Sequence, residues 1–157
     1  MKKIYSLGLI MCSGCILPDG EPLTTKSVTE KAQERYGEGK VKVKQLDKKT
    51  WEISPTDYPD IKYTIKQKIG HGGVIPVPAY TDDDNRMEIL GKIVLPKFFS
   101  RKEIENIEFS DSIIKYKCNV KKDQDVEVLS SKLQAMCEYM NENYGPVVKD
   151  AYVTACF

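Results

Sequence analysis

The stretch from Ile61 to Ile69 restricts the fold more than any other. Ile61, Tyr63, Ile65 and Ile69 alternate with Lys62, Thr64, Lys66 and Lys68. Successive side chains of a strand point to opposite faces, so this spacing separates a large apolar set from a charged and polar one. One face must be covered and the other must meet water, which is the pattern of an antiparallel sheet packed on one side.

The residues before it supply both neighbours and a cover. Val41 and Val43 alternate with Lys40, Lys42 and Lys44. A polar turn at Asp47-Lys48-Lys49 then leads to Trp51 and Ile53, which join the same apolar face as a hairpin. Ahead of the hairpin, Val28, Ala32 and Tyr36 fall on one helical face over Thr25 to Tyr36. Ser27 with Glu30 makes a capping box, and Gly37 stands where a left-handed residue closes a helix. This helix is the natural cover for the sheet.

The second half is less regular. Pro76 and Pro78 exclude an interior strand for residues 74–80. Asp82-Asp83-Asp84-Asn85 is expected to form an acidic turn or helix start. Met87, Leu90 and Val94 suit a helix that Gly91 and Pro96 keep short. Ser100 with Glu103 forms a second capping box. Ile114, Tyr116, Cys118 and Val120 alternate as a strand, and Val126, Leu129, Leu133, Met136, Met140 and Tyr144 define a helix over residues 125–144. Gly145-Pro146 is expected to stop it, with a closing strand over residues 147–157. Glu30, Glu34, Tyr36 and Gly37 recur as Glu138, Glu142, Tyr144 and Gly145, a repeat that helix-stop chemistry explains without duplication. The expected class is α+β, an antiparallel sheet with helices packed on one face.

Composition sets the outer limits. The chain has 157 residues, enough for one hydrophobic core, with 24 basic against 23 acidic side chains. A balance so even provides no global field to recruit nucleic acid, so no nucleic-acid partner is expected. Beyond the N-terminus no apolar run approaches the roughly 20 residues of a membrane helix, and the body reads as soluble.

The N-terminus has its own pattern: Met1-Lys2-Lys3, an apolar segment from Ile4 to Met11, then Cys12-Ser13-Gly14-Cys15. A positive start, a short apolar core and small residues before a cut make a secretory leader. The stretch resembles the lipobox of bacterial lipoprotein precursors, in which a thiol after two small residues is lipidated and becomes the new N-terminus. The resemblance implies a signal peptide over residues 1–14, lipidation at Cys15 and a tether over residues 15–24. A single domain over residues 25–157 would follow, held to the extracytoplasmic face of the membrane. Cys12 stands where that family usually has Leu or a similar aliphatic residue. Two other readings stay open: a first strand of a cytoplasmic protein, and a redox or metal pair made by Cys12 and Cys15. A metal pair needs further ligands, yet Cys118, Cys137 and Cys156 are scattered singly. A redox pair starts a helix, whereas Pro18-Asp19-Gly20 makes a turn.

Over Thr25 to Ile69, the helix, its Tyr-Gly stop, the hairpin and the run Asp57-Tyr58-Pro59-Asp60-Ile61-Lys62-Tyr63-Thr64 resemble small uncharacterised lipoproteins of Gram-positive bacteria. That resemblance implies a helix on a curved antiparallel sheet, as in cystatin-like folds, and implies no activity.

Candidate chemistry is sparse. His71, the sole histidine, sits in Gly70-His71-Gly72-Gly73, which looks like the oxyanion loop of some lipases and esterases. Those enzymes also need a second histidine and a Gly-x-Ser-x-Gly elbow, and neither is present. A loop between strands is the plainer reading, with a small hydrolase pairing His71 with a cysteine or carboxylate as the rival. The Asp82 cluster is not an EF-hand, because its sixth and twelfth places hold Met87 and Ile93 where glycine and glutamate are needed. Lys40, Lys42, Lys44, Lys62, Lys66 and Lys68 fit the open side of a sheet, where lysine discourages edge pairing. Cys118 and Cys156 are the expected partners if a bridge forms, although buried free thiols are the simpler expectation. The combined expectation is a non-catalytic binding module of the cell envelope with no cofactor and no metal, anchored to the membrane by lipid, its protein or cell-wall ligand unknown.

Overall fold

The structure, a computed structural model, describes residues 22–72, 77–110, 113–117 and 123–156. These divide between Arg86 and Met87 into two compact units. The α+β class holds, with a four-stranded antiparallel sheet and helices.

In the first unit, α1 (Thr25–Tyr36) has the expected span, but its capping box starts at Thr24 and not at Ser27. Thr24 is extended, and its hydroxyl accepts the Ser27 N–H at 3.1 Å while the Ser27 hydroxyl accepts the Thr24 N–H at 2.9 Å. Ser27 thus takes the place that Glu or Gln usually fills, and two orphan donors are satisfied. Gly37 closes the helix at φ 99° and ψ 153°, an extended region open essentially to glycine, where the helical left-handed region was expected.

Strands β1 (Val41–Asp47), β2 (Thr50–Pro55), β3 (Tyr63–Gly72) and β4 (Val77–Asp84) pair antiparallel in chain order. The register sets Val43 opposite Ile53, Ile53 opposite Tyr63 and Trp51 opposite Ile65. Trp51, Ile53, Ile61, Tyr63 and Ile65 are buried, as are Val28, Ala32 and Tyr36 of α1, which packs on β1 and β2. The apolar alternation therefore does form the core face.

It fails at its far end. Gln67 is 6% exposed whereas Ile69 is 45% exposed. Pairing between β2 and β3 ends at Thr50 opposite Lys66, so Ile69 has left the width of sheet that β2 shares. Pro78 behaves as expected, since β4 is an edge strand and Pro78 lies opposite His71, while Pro76 lies outside the described residues. Of the acidic turn or helix start expected at residues 82–85, Asp82 to Asp84 instead end β4, while Asp84 does lead into the helix that begins at Arg86. Asp82, Asp83 and Asp84 stand opposite Gln67, Lys66 and Ile65, with Lys31 holding Asp82 at 2.9 Å and Lys68 holding Asp83 at 2.5 Å. Opposite charges across the ladder make carboxylates tolerable in a strand.

The second unit begins within α2 (Arg86–Val94), followed by a 3-10 turn at Leu95–Lys97 and α3 (Arg101–Ile104). Gly91 sits inside α2 for reasons of space. A Cβ there would lie 2.3 Å from Phe109 Cε1, so the ring of β5 (Ile107–Ser110) rests directly on the helix backbone. β5 pairs antiparallel with β6 (Ile113–Lys117), and β6 pairs parallel with β7 (Tyr152–Cys156). Parallel neighbours need a long crossover, which α4 (Asp123–Val148) supplies. The second sheet is therefore mixed. Tyr144 leaves helical geometry at φ −136° and ψ 29°, but the chain re-enters the helix through Pro146, which is well tolerated in a first turn. Val147 is accordingly a buried helical residue and not the start of the closing strand.

The Ser100–Glu103 box forms as expected and is reinforced from α4. Glu103 accepts the Ser100 N–H at 2.8 Å and hydroxyl at 2.7 Å, and Lys132 Nζ donates to its other oxygen at 2.7 Å. Lys132 first, then Ser100, holds the carboxyl down to about 2 from its ordinary 4.5. A depressed folded value means stability that is complete above the unfolded pKa and is lost as pH falls toward the folded one. Melting temperatures of the parent and Glu103→Gln should thus differ at pH 6 and converge as pH falls from about 4.5 to 2; an unchanged gap would contradict the ion pair.

Candidate functional site

The candidate site of the first unit grows from the way β4 ends. Asn85 Oδ1 accepts the Thr64 N–H at 2.7 Å, and the Asn85 N–H reaches Thr64 O at 3.3 Å. The side chain and backbone of Asn85 together extend the pairing with β3 one residue past the strand. Arg86 comes next, its N–H donating to Asp84 Oδ1 at 3.1 Å. An aspartate that accepts from the backbone two residues on makes a tight local turn, and this turn holds Arg86 in place.

The side chain of Arg86 is 1% exposed. Among the described residues it is the one buried charged side chain. Asp84 Oδ1 lies 3.9 Å from Nε, an ionic distance beyond hydrogen-bond reach. Nε and Nη1 have no hydrogen-bond partner. Two phenols share the neighbourhood: Tyr36 O–H donates to Tyr63 Oη at 3.3 Å. Burial, strengthened by the facing Tyr63, pushes the Tyr36 phenol far above its ordinary value, with Arg86 and Arg35 opposing. Burial likewise raises Tyr63 against the hydrogen bond from Tyr36 and the field of Arg86. Both phenols are therefore neutral donors at physiological pH and neither is a base. The arrangement is rich in donors and suits the binding of acceptors.

Of the residues singled out from the sequence, Asp84 and Asn85 of the acidic run border this cluster, and Tyr36 and Tyr63, read there as core-facing, lie in it. Cys12 and Cys15 lie outside the described residues, as does Cys118. The backbone of His71 is within β3, where a loop was expected, while its side chain, like that of Cys156, is not among the described ones. Cys137, half-buried on α4, is a free thiol whose pKa burial raises, so it is a poor nucleophile. The lysine face is interleaved with acids: Lys44 stands opposite Glu52, Lys66 opposite Asp83, and Lys40 pairs with Asp57 at 2.9 Å. No uniform basic patch results from these residues. Among the described residues no group of three metal-ligating side chains converges.

Arg86 escaped sequence reasoning because nothing local marks a buried arginine. It follows Asp84-Asn85 and precedes an apolar helix, a place where arginine is ordinarily solvated. Comparison with known proteins found no matching family model, no similar curated protein and no similar solved structure. The class stated by the fold is α+β, and the likeness to cystatin-like folds rests on the sequence pattern alone.

Proposed function

We propose that this protein is an exported lipoprotein, anchored through Cys15 to the extracytoplasmic face of the membrane, whose folded part is a non-catalytic binding module. The observation that carries the reading is the N-terminal order of two lysines, an apolar segment and Ser13-Gly14-Cys15. Supporting the binding role is the donor-rich cluster of Arg86, Tyr36 and Tyr63, whose raised phenols lack the character of acid–base catalysts. Among the described residues no helix is long and apolar enough to cross a membrane.

The test is expression of the full chain in a bacterial host, followed by fractionation and intact mass. The mature product should begin at Cys15 and carry acyl mass. Cys15→Ala should lower the membrane-associated fraction about tenfold or more, because stable anchoring depends on several acyl chains. An intact Met1 in the cytosol, or full membrane retention of the variant, would overturn the reading.

A further inference from the structure

The hydrogen-bond accounting around Arg86 does not close. A guanidinium offers five N–H donors and keeps its charge at any physiological pH. Here Nε and Nη1 are shielded from water without a partner. Asp84 does not fill the gap. Its Oδ1 already accepts the Arg86 backbone N–H at 3.1 Å and stands 3.9 Å from Nε. Its side chain is also 23% exposed against 1% for Arg86, so water screens the carboxylate more than the guanidinium it faces. Buried polar groups without partners are rare in native proteins, and a bound ion or water is a recurrent way of satisfying them.

We propose that the Nε and Nη1 donors of Arg86 take up a small monovalent anion, a halide ion or a single carboxylate group, as their missing acceptor. Charge selects monovalent over divalent ligands. With Asp84 3.9 Å from Nε, a dianion such as sulfate or phosphate would bring two further negative charges beside one already present. A single charge supplies the acceptor, balances the interior cation and meets less repulsion. Water supplies the acceptor but no charge. The proposal is independent of the lipid anchor, since every group in it belongs to the folded residues 36–86.

The test is thermal melting of the full chain in chloride or in formate, each against sodium sulfate of equal ionic strength. A saturable rise on the order of 5 °C is expected as the anion passes to about ten times its dissociation constant. Response to chloride alone identifies a halide site, and response to formate alone a carboxylate site. Arg86→Met should abolish the response. Should Arg86→Met fail to fold, chlorine-35 line broadening and formate saturation transfer on the parent chain replace it, and saturable binding supports the site. A parent response no larger than that to sulfate, an undiminished response in Arg86→Met, or the absence of both magnetic resonance signals would overturn the proposal.

Discussion

Trp51→Ala should lower the unfolding free energy by about 3–5 kcal/mol, the usual cost of truncating a fully buried large aromatic. The side chain is 1% exposed and stands opposite Ile65 in the β2–β3 register. Its loss leaves a cavity on the face that α1 covers. It also removes a polar link, because the indole N–H donates to Thr25 Oγ1 at 3.0 Å and that hydroxyl donates to Gln45 Oε1 at 2.9 Å. Helix, second strand and first strand are joined through one threonine. Trp51→Phe separates the two effects: it keeps most of the apolar area, loses the N–H, and should cost about 1–2 kcal/mol. Urea titration followed by circular dichroism measures both, and a loss under about 1 kcal/mol for the alanine variant would show that this residue is not central to the core.

Gly91→Val should cost roughly 2–3 kcal/mol, the upper part of the range for overpacking a filled site. Replacing a helix-interior glycine would ordinarily stabilise, by about 1 kcal/mol for alanine, and propensity alone predicts a gain. The structure reverses the sign, since a Cβ at Gly91 would fall 2.3 Å from Phe109 Cε1 and 2.5 Å from Cζ. The partner atom identifies the cause. In a Phe109→Ala background the same Gly91→Val change should recover most of its cost, and equal penalties in both backgrounds would rule out the steric explanation.

These two residues mark different limits of legibility. Alternation places Trp51 correctly, because a strand half-buried on one face has a period of two that local sequence records directly. Gly91 argues locally for a short helix, and α2 does end at Val94, but the glycine is required by the ring of Phe109 in a later strand. Asp82 to Asp84 show the same limit. Three consecutive carboxylates suggest a turn until Lys31 and Lys68 are brought beside two of them. Gly145-Pro146 reads locally as a stop, and Tyr144 does break the helix, yet Pro146 can occupy the first turn of the helical segment beyond the break.

By itself the sequence determined the apolar face of the first sheet, the helix that covers it, the Ser100–Glu103 cap and the span of α4 to within a few residues. Periodicity and capping are local, and their physics is written within a few positions of each residue. Tertiary structure alone decided that β6 and β7 run parallel, that Ile69 is exposed while Gln67 is buried, and that Arg86 lies in the interior with two nitrogens unpartnered. Each depends on which distant segment arrives alongside, and a chain's local pattern contains no record of its neighbours across the fold. The stretch from Met1 to Cys15 carries the proposed address, and the buried guanidinium carries the proposed ligand.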